Sequence, residues 1–180
     1  MTRTNKDIFI ARLMRERDRL ELLVNRIGFT RQLTMPGALG KWSVKDILAD
    51  VLAYELYIAD RLDEITRNEP YAPCRTQAAL DAFFDEFGYP DFGSPLLANE
   101  SSTDWFVEKY RNVSFEDLVT QELNAFSSIV SSLEKLTEET LTQDNLYERV
   151  ANHTYKRYRE HIRGIRQWLA VKAANSKNSQ

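Results

Sequence analysis

The sequence predicts an all-α protein: a four-helix bundle with an irregular, partly helical insertion between helices two and three. Three observations carry that expectation. Apolar residues recur at helical spacing over four long segments, a run of prolines and glycines interrupts them after the second, and no segment alternates with the two-residue period of a strand. A chain of 180 residues suits a single domain, here residues 1–174, with a polar tail at 175–180 expected to be flexible.

The first helix is expected from about Asn5 to Ile27, where Ile10, Leu13, Leu20, Leu23, Val24 and Ile27 share a face and Gly28 ends it. Met35-Pro36-Gly37 and Gly40 mark a loop. Ser43 then caps a second helix that runs to about Arg67, with Asp46 three residues on completing an approximate capping box. Residues 68–101 contain Pro70, Pro73, Pro90 and Pro95 and are expected to be irregular. Within them, Thr76 to Phe87 reads as a short helix with Leu80, Phe83, Phe84 and Phe87 on one side. So aromatic an insertion suits a small satellite core better than a lid. A third helical region begins near Ser101, breaks around Asn112-Val113 and resumes after a fresh cap at Ser114, ending near Leu136. The fourth helix is expected from Ala151 to Ala174, with Tyr155, Tyr158, Ile162, Ile165 and Leu169 inward.

Composition excludes several function classes. Lysine and arginine total 24 against 27 aspartates and glutamates, so a net charge of -3 offers no general attraction to nucleic acid. The basic runs Lys156-Arg157-Tyr158-Arg159 and Arg163/Arg166 read as a solvated helix face. No apolar run approaches the roughly 18 residues that span a bilayer. Residues Met1 to Lys6 lead into a charged helix without a signal-peptide core. A cytoplasmic protein with neither nucleic acid nor membrane as partner is expected. Cys74 is the sole cysteine, which excludes an internal disulfide and a Cys-rich metal site. With only two histidines to activate it, a thiol nucleophile is disfavoured.

Two stretches carry a resemblance: Trp42-Ser43-Val44-Lys45-Asp46-Ile47-Leu48 in helix two, and Thr154-Tyr155-Lys156-Arg157-Tyr158-Arg159-Glu160-His161-Ile162 in helix four. Together they resemble the DinB-like superfamily of four-helix bundles, which includes the ClbS/DfsB group. Metal-binding members use one histidine in helix two and an HxxxH pair in helix four, because residues four apart share a helix face and chelate one ion. The resemblance places those ligands on Asp50, Arg157 and His161, and only His161 keeps its identity. A carboxylate still coordinates metals through oxygen. A guanidinium stays protonated and offers only donors. The metal triad is therefore degenerate, and no metal or other cofactor is expected. His153 lies about 12 Å along the helix from His161. That is too far to share a zinc ion, and His153 reads as a capping or surface group.

Asp50 and Arg157 are instead expected to meet across the helix interface as a bidentate ion pair, with His161 joining through hydrogen bonds. Two readings follow. In a catalytic one, His161 is a general base oriented by Asp50 or Glu160, while Tyr54, Arg157 and Tyr158 bind a ligand. In a packing one, the tyrosines belong to the core and His161 to a polar interior network. Glu55 beside Tyr54 matches an aromatic–Glu pair in the resembling family, and a helix-pairing role for it stays equally open. The function expected is binding or hydrolysis of a small molecule without the three-histidine metal centre. The ClbS/DfsB group's association with self-protection against a reactive small molecule implies a cavity, which the 68–101 excursion would roof. The alternatives are a non-enzymatic homodimeric interaction protein and a metal-dependent thiol transferase with an altered ligand set.

Overall fold

The computed structural model describes residues 5–97 and 104–178. Among them the protein is all-α, and its β content is one isolated bridge between Leu39 and Trp42. Four helices exceed twenty residues: α1 (Asn5–Phe29), α2 (Val44–Thr66), α5 (Phe115–Lys135) and α8 (Tyr155–Asn178). Shorter ones are α3 (Gln77–Phe87), α4 (Trp105–Tyr110), α6 (Glu138–Thr142) and α7 (Leu146–His153). The expected start of the third helical region at Ser101 lies outside the described residues.

Local signals set the helix ends. Ser43 Oγ accepts from the Asp46 amide at 3.2 Å and the Asp46 carboxylate accepts from the Ser43 amide at 2.8 Å, so the capping box is complete. Ser114 Oγ caps α5 by accepting from the Asp117 amide at 3.0 Å. Gly88 closes α3 in the left-handed conformation at φ 75°, where a side chain would be strained. The fourth long helix departs from expectation: it begins at Tyr155, and α7 precedes it after a break at Thr154 (φ -130°, ψ -105°). The buried Thr154 hydroxyl donates to the Val150 carbonyl at 2.6 Å, and such back-bonding competes with the helical ladder. Helix α8 also continues through Asn178, beyond the expected end at Ala174.

The long helices pack in two pairs. Leu48 and Leu52 share a cluster with Leu118, and Ile65 and Thr66 meet Lys135, so α2 and α5 run parallel. Phe9 meets Tyr155 and Glu16 meets Arg159, so α1 and α8 are parallel too. Asp50 reaches His161 while Glu55 reaches Tyr158, which makes α2 and α8 antiparallel. The main core lies between them, with Leu13 and Ile27 from α1, Ile58 from α2, Ile129 from α5 and Ile165 from α8.

The insertion folds onto the outer face of α2 as a satellite core. The buried Asp91 carboxylate accepts from the Cys74 amide at 2.7 Å, the Gly93 amide at 3.1 Å and the Tyr71 hydroxyl. Arg61 of α2 is enclosed by Tyr71, Tyr57 and Phe83, its guanidinium carbon 4.3, 5.3 and 5.7 Å from the ring centroids. The short helix does not present its aromatics on one side. Phe83 packs on Phe87 and Tyr89, whereas Phe84 turns to Trp105 of α4. Replacing Asp91 with alanine leaves its three donors without their acceptor, and a loss of about 3 kcal/mol is expected. Amide exchange should show the opening concentrated in residues 68–97, and uniform protection in the variant would contradict this account.

Candidate functional site

The candidate site forms where α2 and α8 cross. Residues Asp50, Tyr54 and Glu55 come from α2, and Arg157, Tyr158 and His161 from α8. Both partners of Asp50 use one oxygen: Arg157 Nη2 donates to Oδ2 at 2.6 Å and His161 Nε2 donates to it at 2.9 Å. The ion pair is therefore single-pronged rather than bidentate, because His161 converges on the atom that Arg157 uses. Its geometry is fixed from the other side as well. The Arg157 guanidinium carbon lies 3.5 Å from the centroid of Tyr54, and Tyr54 stacks on Phe92 at 3.9 Å and 17°. A three-layer stack of Arg157, Tyr54 and Phe92 thus brings the insertion to the edge of the site.

Electrostatics follow from these contacts. Burial alone would raise the pKa of Asp50, but the His161 hydrogen bond and the charge of Arg157 outweigh it and hold the carboxyl below its ordinary range. Asp50 and His161 are buried, while the Arg157 side chain keeps 24% of its surface exposed. With its Nε2 proton on Asp50, His161 leaves Nδ1 buried without a partner, as is Arg157 Nε. His161 is poorly placed as a general base for an outside substrate.

His153 corrects the expectation of a capping or surface group. It lies at the end of α7 against Tyr54 and Tyr57, with ring centroids 5.8 and 5.2 Å away. Its Nδ1 donates to the Arg149 carbonyl at 2.7 Å, which leaves Nε2 as the acceptor nitrogen. Burial lowers its pKa, and the nearby Arg157 and Arg149 charges add to that shift. The imidazole is neutral at pH 7.

Tyr158 also departs from its expected role in ligand binding. It is fully buried, and its hydroxyl donates to Glu55 Oε1, which is itself fully buried. Glu122 of α5 lies beside Glu55 and is held by Arg17 of α1 through Nε–Oε1 (3.1 Å) and Nη2–Oε2 (2.7 Å). Burial and the neighbouring Glu122 charge push the Glu55 pKa well above the ordinary carboxyl range. Glu55 Oε2 is buried without a hydrogen-bond partner, which costs less for a neutral carboxyl than for a carboxylate.

Sequence reasoning missed three contributors. Phe92 sits in an aperiodic Pro/Gly segment, and Glu122 and Arg17 resemble ordinary charges on amphipathic helices. For the pair, the only signal was that each falls among apolar positions of its helix. Among the described residues, no three His, Cys, Asp or Glu side chains converge as a metal site. Cys74 is likewise no activated nucleophile: burial and the adjacent Asp91 raise its pKa.

No family model matches the chain, and no curated protein matches it in sequence. A crystal structure of an uncharacterised protein from Escherichia coli UTI89 superposes with a TM-score of 0.67 at 14% identity, covering 93% of this chain and 94% of that one. That likeness establishes a shared fold.

The two carboxylates predict opposite pH limbs. Asp50, with a lowered folded pKa, contributes stability above its unfolded pKa that is lost as pH falls through the folded value. Glu55, with a raised folded pKa, contributes stability below its unfolded pKa that is lost as pH rises through the folded value. Denaturation across pH should therefore show that Asp50→Asn flattens the acid limb alone and Glu55→Gln the alkaline limb alone. Unchanged limbs in both variants would refute the assignments.

Proposed function

We propose that this chain is a DinB-like four-helix bundle whose Asp50–Arg157–His161 cluster replaces a metal centre, and that it binds a small molecule at the exposed edge of that cluster. The carrying observation is the placement of Arg157, whose guanidinium lies against both Asp50 and the Tyr54 ring. A cation already neutralises the carboxylate that would serve as an oxygen ligand, so a second cation meets repulsion instead of a vacant donor set. The metal-dependent thiol-transferase reading is accordingly disfavoured.

The same arrangement suits a ligand with an aromatic or other flat body and an oxyanion or carbonyl. The guanidinium supplies directed donors on its exposed side, beside the apolar edge of the Tyr54–Phe92 stack. Asp50 and His161 position Arg157 rather than contact the ligand. Hydrolysis is the second reading, favoured by His153. Its neutral imidazole has an acceptor Nε2 next to the same tyrosine, the state a general base needs.

Two measurements test this proposal. Arg157→His removes the competing cation and sets two imidazoles four residues apart opposite Asp50. That variant should gain about one equivalent of zinc, read by calorimetry. Failure to gain zinc in a folded variant would count against the correspondence with a metal centre. Benzoate, an aromatic carboxylate, should shift the NMR signals of Arg157 and His153, and Arg157→Ala should abolish the shift at His153. Unmoved signals at both residues would sink the binding site. The same Arg157→Ala change should lower stability by about 2 kcal/mol, less than the ~3–5 of a fully buried pair because water reaches the arginine.

A further inference from the structure

The parallel arrangement of α1 and α8 aligns two exposed stripes that sequence reading did not connect. Along α1 one stripe runs Arg12, Arg15, Arg19, Leu22, Arg26 and Phe29, in alternating steps of three and four residues. Along α8 a second runs Arg159, Arg163, Arg166, Ala170, Ala173 and Lys177, again in steps of four and three. All these residues are exposed, and neither stripe contains an acid. The stripes adjoin: Arg19 meets Arg159, Arg163 and Arg166 in one cleft, and Leu22 and Arg26 meet Arg166 and Ala170 in the next. The band follows α1 for about 25 Å.

Glu16, buried beneath the band, pairs with Arg19 and Arg159 and holds both in place. The other cations, Arg12, Arg15, Arg26, Arg163, Arg166 and Lys177, form no ion pair among the described residues. Helix macrodipoles do not account for them, since a single cation in the last turn of each helix satisfies that interaction. The acids Asp18 and Glu21 sit toward the other flank of α1, where Glu21 is engaged by Arg17. Because the whole chain carries a net charge of -3, the remaining surface is acidic and the band is its basic counterpart.

Exposed apolar side chains decide what kind of anion the band fits. Phe29 is 91% exposed and Leu22 is 70% exposed within the α1 stripe, and Val171 beside Ala170 is 59% exposed. Phosphodiester backbones offer such groups nothing, whereas the boundary between lipid headgroups and acyl chains takes them in. We propose that the α1/α8 band is a docking face for an anionic membrane surface. Among the described residues no helix is long and apolar enough to cross a membrane, and the contact proposed is with the lipid surface. Acidic faces turned away from the lipid are screened over a Debye length of about 8 Å, while the cations in contact are not.

Sedimentation with vesicles tests the proposal, using phosphatidylcholine alone and phosphatidylcholine mixed with phosphatidylglycerol. The full chain should sediment with the anionic vesicles only, and added salt should release it. Each cation in contact is worth roughly a five-fold change in partitioning, so the double variant Arg163→Glu/Arg166→Glu should lose at least about 25-fold. Phe29→Ser should weaken binding without changing its salt dependence. Thermal melts should stay unchanged, because these side chains are exposed. Absence of binding to anionic vesicles, or equal binding to both kinds, would overturn the proposal. So would retention of a duplex oligonucleotide that the double variant abolishes while vesicles stay unbound, since the band would then serve nucleic acid.

Discussion

The contact of Arg157 and His161 with a single oxygen of Asp50 sets how α8 lies against α2. Two α8 side chains one turn apart converge on one buried carboxylate, so both the rotation and the register of the helix are specified. Sliding α8 by one turn, about 5.4 Å, would take one of the two partners out of reach of that buried carboxylate. The remainder of the interface is built on that register. Tyr158 comes to face Glu55, and Arg157 comes to lie on Tyr54. Replacing such a pair with apolar residues is often neutral for stability, which makes orientation its clearer contribution.

Asp50 and Glu55 show how partners decide which way the pKa of a buried carboxyl moves. Both are buried on α2, five residues apart, yet their pKa values move in opposite directions. Asp50 faces a guanidinium and an imidazole donor. Glu55 faces a tyrosine hydroxyl and a second carboxylate whose arginine is already engaged. The first layer is thus charged and internally neutralised, with one edge open to solvent. The second is sealed and favours the neutral carboxyl. Solvent reaches only the first, which is why Arg157, Tyr54 and His153 carry the functional proposal and Tyr158 does not.

Much of this was legible in the sequence, for identifiable reasons. Helical periodicity and the Ser43 capping box located α1 and α2 because those signals are local. The approach of Asp50 to Arg157 was expected from the resemblance to DinB-like bundles, which set opposite charges at two facing positions. What failed depended on contacts distant in sequence. The Thr154 break arises from one hydroxyl returning to Val150, and reading through it misplaced His153. Phe92 reaches Tyr54 only because the Asp91 carboxylate gathers the insertion. The arginines of α8 read as a solvated face until the parallel packing of α1 set a second row beside them.

We propose that a guanidinium stands where a metal would sit at the α2/α8 crossing. Elemental analysis of wild-type protein purified without chelators tests it most directly. The account predicts far less than one equivalent of zinc, nickel, iron or manganese per chain. One equivalent of any of these, lost on His161→Ala in a variant that stays folded, would contradict it.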